Sequence, residues 1–177
     1  FLGHNIDGEY PVDSLIKELK ENKMVGVASG KAEFGPRALG NRSLLADPRG
    51  EGIKDLVNSI KKRQKFRPFT PAILEEDVHE YFTLPKAVQN TPYMQFTAAC
   101  THGKDFPAII HHDHTSRVQT VRKTDNPGFY ALLTEWKKQT GCPILLNTSL
   151  NIKGQPIVND REDGKAFTNK YGVKVLG

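Results

Sequence analysis

Four polar clusters, set between apolar runs, carry the residue types from which chemistry could be built. The first reads Glu33-Phe-Gly35-Pro-Arg37-Ala-Leu-Gly40-Asn-Arg42-Ser43. Gly35 and Gly40 permit close approach of backbone to a ligand, Pro36 stiffens the turn, and Arg37 and Arg42 offer forked donors suited to phosphate or carboxylate. The order is neither that of a P-loop nor that of a dinucleotide fingerprint. Two readings stay open: an anion site, or a structural loop in which one arginine bridges Glu33 and the other ties down a loop carbonyl. The second cluster runs from Asn58 through Lys61, Lys62, Arg63, Lys65 and Arg67 to Pro71, with Phe66 and Phe69 interleaved. It fits a solvated helix end, a polyanion site or a single-stranded nucleic-acid surface.

The third cluster is His111-His112-Asp113-His114-Thr-Ser-Arg117-Val-Gln119. Three histidines and an aspartate invite a metal. On a strand, however, only His111 with Asp113, or His112 with His114, would face one ion together, and no second ligand group is evident elsewhere. No metal site is assigned, and these side chains are read as hydrogen-bonding groups that orient Arg117. The fourth cluster, Asn147-Thr148-Ser149-Leu150-Asn151 followed by Gly154-Gln155-Pro-Ile-Val158, offers hydroxyls and amides at the end of an apolar run. Turn formation alone also explains Asn and Ser there. A serine nucleophile is not read, since there is no GxSxG elbow and no evident base.

The rest of the chain bounds what these clusters can belong to. In 177 residues, 37% are hydrophobic and 25% charged, enough to bury one core and too ordered in composition for a disordered segment. The stretch from Lys61 to Arg67 accounts for the whole net charge of +5, so the remainder is neutral and a diffusely basic nucleic-acid protein is disfavoured. Cys100 and Cys142 are too few for a disulfide framework, which points to a reducing, cytoplasmic location. No apolar run approaches the roughly 18 residues a membrane span needs. The chain opens at Phe1 and is expected to be cut from a longer protein.

The elements that must position the clusters follow from periodicity. Asp13 is expected to cap a helix through about Glu21, the apolar run Met24–Ala28 to form a buried strand, and residues 29–43 to form a loop. Ile53, Leu56, Val57 and Ile60 have the spacing of an amphipathic helix that carries the basic segment at its end. Strands are expected at 71–74, 93–99, 108–111, 118–121, 143–146, 156–158 and 173–176. Asn126-Pro127 opens a helix that stops at Gly141, and another helix covers about 160–170. The alternation predicts a single α/β domain over 1–177, a mixed twisted sheet with flanking helices, with sites on the loops after strands.

Taken in order, the four clusters resemble the C-terminal domain of the O-carbamoyltransferases, the family of nodulation-factor and antibiotic-tailoring enzymes. That family shows EFGPRALGNRS, then N-x-x-I-K-x-R-x-x-F-R-P-F, then H-x-D-G-T-x-R-x-Q, then N-T-S-F-N followed by G-x-P-I-V. This chain departs from it with His114 for Gly, Leu150 for Phe and Gln155 for Glu. The resemblance implies a YrdC-like fold that makes carbamoyl-adenylate from carbamoyl phosphate and ATP, with Mg²⁺ carried by the nucleotide. It assigns Lys61, Arg67, Arg117 and Ser149 to the phosphate or carbamoyl-phosphate oxygens. Asn147, Thr148 and Asn151 would shape the edge of that group. Arg37, Gly35 and Gly40 would lie at the nucleotide or carbamoyl end, with His111 and Asp113 near Arg117. It further implies a preceding actin/kinase-like domain, absent here, that passes the carbamoyl group to a hydroxyl acceptor. The alternatives carried beside it are a nucleic-acid-binding YrdC-like module and a non-catalytic ATP-binding regulatory domain.

Overall fold

The computed structural model describes residues 4–33, 35, 37–62 and 68–177. In chain order the elements are β1 (Asn5–Ile6), α1 (Val12–Asn22), β2 (Met24–Ala28), β3 (Gly30–Lys31), β4 (Arg42–Ala46), α2 (Ile53–Lys61), β5 (Thr70–Leu74), α3 (Val78–Tyr81), β6 (Phe82–Thr83), β7 (Thr97–Cys100), β8 (Thr115–Arg117), β9 (Gln119–Val121), α4 (Pro127–Thr140), β10 (Ile144–Ser149), α5 (Arg161–Tyr171) and β11 (Val175–Leu176). Six strands form the main sheet in the order β11-β2-β4-β10-β5-β9, and β6-β7-β8 form a smaller antiparallel sheet. The outer pairs β11–β2 and β5–β9 are parallel, whereas β10 runs antiparallel to both β4 and β5. This mixed α/β sheet with flanking helices is the architecture expected from the sequence.

The local chemistry of each element agrees with its neighbours. All five residues of β2 are buried, as a strand covered on both faces requires. Asn126 caps α4 by accepting the Phe129 N–H at 3.0 Å, Pro127 occupies the first turn, and Gly141 closes the helix in the left-handed region at φ 73°. Phe129, Leu132, Leu133 and Trp136 of α4 are fully buried, and the Trp136 indole N–H donates to the Ile144 carbonyl at 3.1 Å. Full burial of such side chains is worth about 1.5–3 kcal/mol each.

Several expectations are corrected. Arg42 and Ser43, read as the end of a loop, open the strand β4 (Arg42–Ala46) at the centre of the sheet, with Leu44, Leu45 and Ala46 wholly buried. Asp13 lies inside the first turn of α1 and does not cap it, since Val12 begins the helix after Pro11. The strand expected over 93–99 begins only at Thr97, because Met94 N–H bonds the Thr91 carbonyl in a turn and Met94 itself is left-handed. Residues 108–111 form no strand: Phe69 N–H takes the Ala108 carbonyl and the Ser116 hydroxyl takes that of Ile109. Residues 156–158 form no strand, although Val158 N–H reaches the Leu150 carbonyl. The run expected to stop at Leu146 continues as β10 through Ser149. No helix among the described residues is long and apolar enough to cross a membrane.

Candidate active site

The extension of β10 decides the geometry, because side chains alternate along a strand. Asn147 and Ser149 share one face, and Thr148 points to the other. Lys61, the last residue of α2, reaches Ser149 from above: its Nζ donates to the Ser149 carbonyl at 2.6 Å, to Ser149 Oγ at 3.3 Å and to Asn151 Oδ1 at 2.5 Å. Ser149 Oγ donates in turn to Asn151 Oδ1 at 2.8 Å. Asn151 Nδ2 then donates to the carbonyls of Ile152 and Gln155 at 3.3 and 3.1 Å, which fixes the amide's orientation. A lysine ammonium, an amide and a hydroxyl from segments far apart in sequence are thus locked into one cluster at the end of the central strand.

The same face of β10 holds the first motif in place. Asn147 Nδ2 donates to the Ala38 carbonyl at 3.0 Å and to Gln119 Oε1 at 2.7 Å, and Gln119 Nε2 donates to the Leu39 carbonyl at 3.2 Å. From the other side Glu33 Oε1 accepts the N–H groups of Leu39 and Asn41 at 2.9 and 2.6 Å. Burial pushes the Glu33 carboxyl above the usual carboxylate range, against the pull of those two N–H groups. The Arg37 loop is therefore held rigid at its base, while Arg37 itself is exposed and makes no hydrogen bond or ion pair to any described residue. A cleft of about 600 Å³ lies beside it, lined by Glu33, Gly35, Ile152, Gln155, Asn159 and Asp163. Glu33 also lines a second cleft of about 430 Å³ with Leu39, Gln119 and Asn126.

Two readings of this motif are resolved in favour of structure. Arg42 is fully buried, and its guanidinium donates to the carbonyls of His4, Ser29, Gly30, Asn41 and Asn159 at 2.9–3.3 Å. With its donors spent on backbone, it is a tie for the loop and offers nothing to an anion. Gly40 is needed for packing: at φ 119° a Cβ would lie 2.4 Å from Phe129 Cδ1, and its N–H donates to Ser43 Oγ at 3.0 Å. Gly40→Ala should lower stability by about 3 kcal/mol from overpacking and left-handed strain together, as read by chemical denaturation. Gly35, by contrast, has open space around its Cα at φ 107°.

The third motif forms a hairpin turn leading into β8. His111 N–H bonds the Thr115 carbonyl at 2.8 Å, and His114 N–H bonds the His111 carbonyl at 3.0 Å. His114 takes φ 60°, the left-handed conformation that glycine would adopt there, which imidazole side chains tolerate better than most. Asp113 Oδ1 accepts the Thr115 hydroxyl and N–H at 2.7 and 3.0 Å, bonds that hold its carboxyl below the usual range. Among the described residues no group of three or more His, Cys, Asp or Glu side chains could hold a metal ion. Arg117 ends β8, exposed and without a hydrogen bond or ion pair to any described residue. Leu150, at the position of the family's Phe, is fully buried and closely approaches Gly26.

The structure thus brings together Lys61, Ser149 and Asn151, ties Asn147 to Ala38 and Gln119, and sets Arg37 on a braced loop. Thr148 lies on the opposite face, Arg117 ends β8 in the smaller sheet, and His111 and Asp113 lie in the turn before it, bonded to Thr115 and not orienting Arg117 as expected. Arg67 lies outside the described residues, as do Arg63, Lys65 and Phe66. Three residues without an assigned role prove to be buried or half-buried in this region: Gln119 and Asn58 are buried and Glu33 is half-buried. Each opens or closes one of the quoted motifs, which is the one signal that could have marked them.

Comparison with known proteins follows this geometry closely. Residues 16–177 match the family described as carbamoyltransferase C-terminus. The nodulation protein NolO of Bradyrhizobium diazoefficiens is 46% identical over 143 residues, covering 79% of this chain and 26% of that protein. The 3'-hydroxymethylcephem-O-carbamoyltransferase of Amycolatopsis lactamdurans is 36% identical over 165 residues, covering 91% of this chain and 30% of the relative. The chain therefore spans between a quarter and a third of the length of these relatives. Among solved structures, full-length HypF in its phosphate- and nucleotide-bound form superposes with a TM-score of 0.67 at 18% identity, over 96% of this chain and 21% of that one. That likeness establishes the YrdC-like fold, and the match over nearly the whole length establishes the kinship: the chain belongs to the family of carbamoyltransferase C-terminal domains.

Proposed function

We propose that this domain forms carbamoyl-adenylate from carbamoyl phosphate and ATP, and that a second domain of a longer protein passes the carbamoyl group to a hydroxyl acceptor. The observation that carries the reading is the Lys61–Ser149–Asn151 cluster, a preorganised cation at the end of the central strand. In the first step water cleaves carbamoyl phosphate to carbamate and inorganic phosphate. In the second, a carbamate oxygen attacks the α-phosphorus of ATP and pyrophosphate leaves.

Two polyanions must meet in this sequence, and a fixed ammonium offsets their repulsion while stabilising charge that develops on the transferring phosphoryl oxygens. Lys61 has three N–H donors. An incoming phosphoryl oxygen would replace Asn151 Oδ1 or Ser149 Oγ as acceptor, leaving the Ser149 carbonyl to keep Nζ in position. Ser149 Oγ is then free to donate to the same anion. Arg37, on the braced loop, would meet the nucleotide phosphates, and Arg117 and Arg67 complete the assigned cationic set. Mg²⁺ would enter as part of the nucleotide substrate, held largely by its phosphates. The relative named as an O-carbamoyltransferase and the phosphate- and nucleotide-bound state of the structural neighbour support the choice of substrates.

The test is pyrophosphate release measured with each substrate alone and with both. Release that requires ATP and carbamoyl phosphate together is the expected result, with no stable O-carbamoyl product formed from added sugars or nucleosides by this chain alone. Binding of ATP without turnover would support a regulatory domain, and salt-dependent oligonucleotide binding unaffected by ATP would support a nucleic-acid module.

A further inference from the structure

Glu33 uses only one of its two carboxylate oxygens to brace the Arg37 loop. Oε1 accepts the N–H groups of Leu39 and Asn41, whereas Oε2 is buried and has no hydrogen-bond partner. Buried carboxylate oxygens ordinarily find a donor. Burial also raises this carboxyl above its usual range, so the two N–H groups do not repay what the lost water cost it.

Glu33 lines the cleft of about 600 Å³, a size within the range of about 300–1,000 Å³ for small-molecule sites. One border is Gly35, two residues before Arg37. Another is formed by Ile152 and Gln155, whose carbonyls accept from the same Asn151 amide that holds Lys61. The cleft is thus tied to both cation-bearing segments, yet no lysine or arginine is found among the described residues that line it. It offers instead the carboxylates of Glu33 and Asp163 and the apolar side chains of Ile152 and Ile157. A phosphate would be repelled there, so the lining suits an uncharged group that bears hydroxyls and a flat apolar face.

We propose that this cleft holds the nucleoside end of the nucleotide, with Glu33 Oε2 accepting from a ribose hydroxyl and the base lying against Ile152 and Ile157. The inference rests on the ATP reading above and places the part of that substrate which the cationic set does not touch. One carboxyl then does two things: Oε1 holds the Arg37 loop, and Oε2 reads the sugar. Glu33 also lines the second cleft, of about 430 Å³. The cation there, Arg122, is paired with Asp125 and Glu75, and none of the described walls comes from the loop after Asn151.

Calorimetric titration of ATP, its 2′-deoxy and 3′-deoxy forms and inorganic tripolyphosphate, each with Mg²⁺, tests it. The wild-type chain should bind ATP about tenfold or more tightly than tripolyphosphate, the surplus coming from the buried base and sugar. Loss of the hydroxyl that Glu33 reads should weaken binding by about tenfold or more, as loss of a bond to a charged group does. Glu33→Gln keeps an oxygen for the Leu39 and Asn41 N–H groups and should shrink that difference to a few-fold. Ala166→Trp fills the cleft from an exposed helical position and should bring ATP down to the affinity of tripolyphosphate, which binds as before. Gln155→Trp, on the exposed loop, gives the same reading should that variant fail to fold. Undiminished ATP binding by folded Ala166→Trp would overturn the inference and leave the proposed function standing. So would deoxy forms that both bind like ATP, or loss of ATP binding through Thr124→Trp in the second cleft. A wild-type chain that binds no ATP would overturn the proposed function, and the inference with it.

Discussion

Lys61→Ala is expected to reduce pyrophosphate release by about 10²–10³-fold, the loss seen when one preorganised charge-stabilising donor is taken from a developing anion. The lysine ends its helix and is held by three acceptors, so its removal subtracts charge at a defined point and leaves the sheet beneath intact. Ser149→Ala should cost less, about tenfold, because the Ser149 main-chain carbonyl still anchors Nζ and only the hydroxyl's own bond is lost. Measured by steady-state kinetics with both substrates varied, the two variants should therefore rank in that order. Unchanged release in both Lys61→Ala and Arg67→Ala would refute the assignment of this cluster to phosphate.

The largest effect on stability is expected at Arg42. Replacing it with Met keeps some of the buried volume but strips donors from the carbonyls of His4, Ser29, Gly30 and Asn159 in one step. A loss of about 4 kcal/mol or more follows from orphaning several buried carbonyls at about 1–3 kcal/mol each. Urea denaturation would measure it. Arg37→Met, five residues away in the same motif, should change stability by no more than about 0.5 kcal/mol, as exposed positions without partners do. The contrast separates two arginines that sequence alone presents as equals.

That equality shows where the sequence stops being readable. Arg37 and Arg42 share residue type, motif and spacing from glycines, and only the placement of Arg42 in a central strand buries it. The strand itself was hidden because Arg42 and Ser43 interrupt the apolar signal and leave only Leu44-Leu45-Ala46. Similarly, the amide and hydroxyls of Asn147, Thr148 and Ser149 read as a loop, whereas pairing with β4 through Ser149, joined by β5 as far as Asn147, carries them as strand. Periodic signals fared better. The Asn126-Pro127 cap, the Gly141 stop and the amphipathic spacing of α2 all survive in the structure, since each is decided within one or two turns of chain. The Lys61–Ser149–Asn151 cluster was legible as a set of residue types through the family resemblance, but its contact joins segments whose approach depends on strand order.

The place of β10 between β4 and β5 has a consequence for how the protein is made. Those two strands leave the ribosome well before the strand that separates them, with the smaller sheet and α4 made in between. Throughout that interval the nascent sheet carries two open edges, rich in Leu44, Leu45, Ile73 and Leu74, set apart by the width of one missing strand. Open apolar edges are templates for any extended segment that arrives first. A chain that stalls before Ile144 is thus primed to accept the equivalent strand of a neighbour on the same messenger. For this domain, strand exchange between copies is the failure that such an order of synthesis favours.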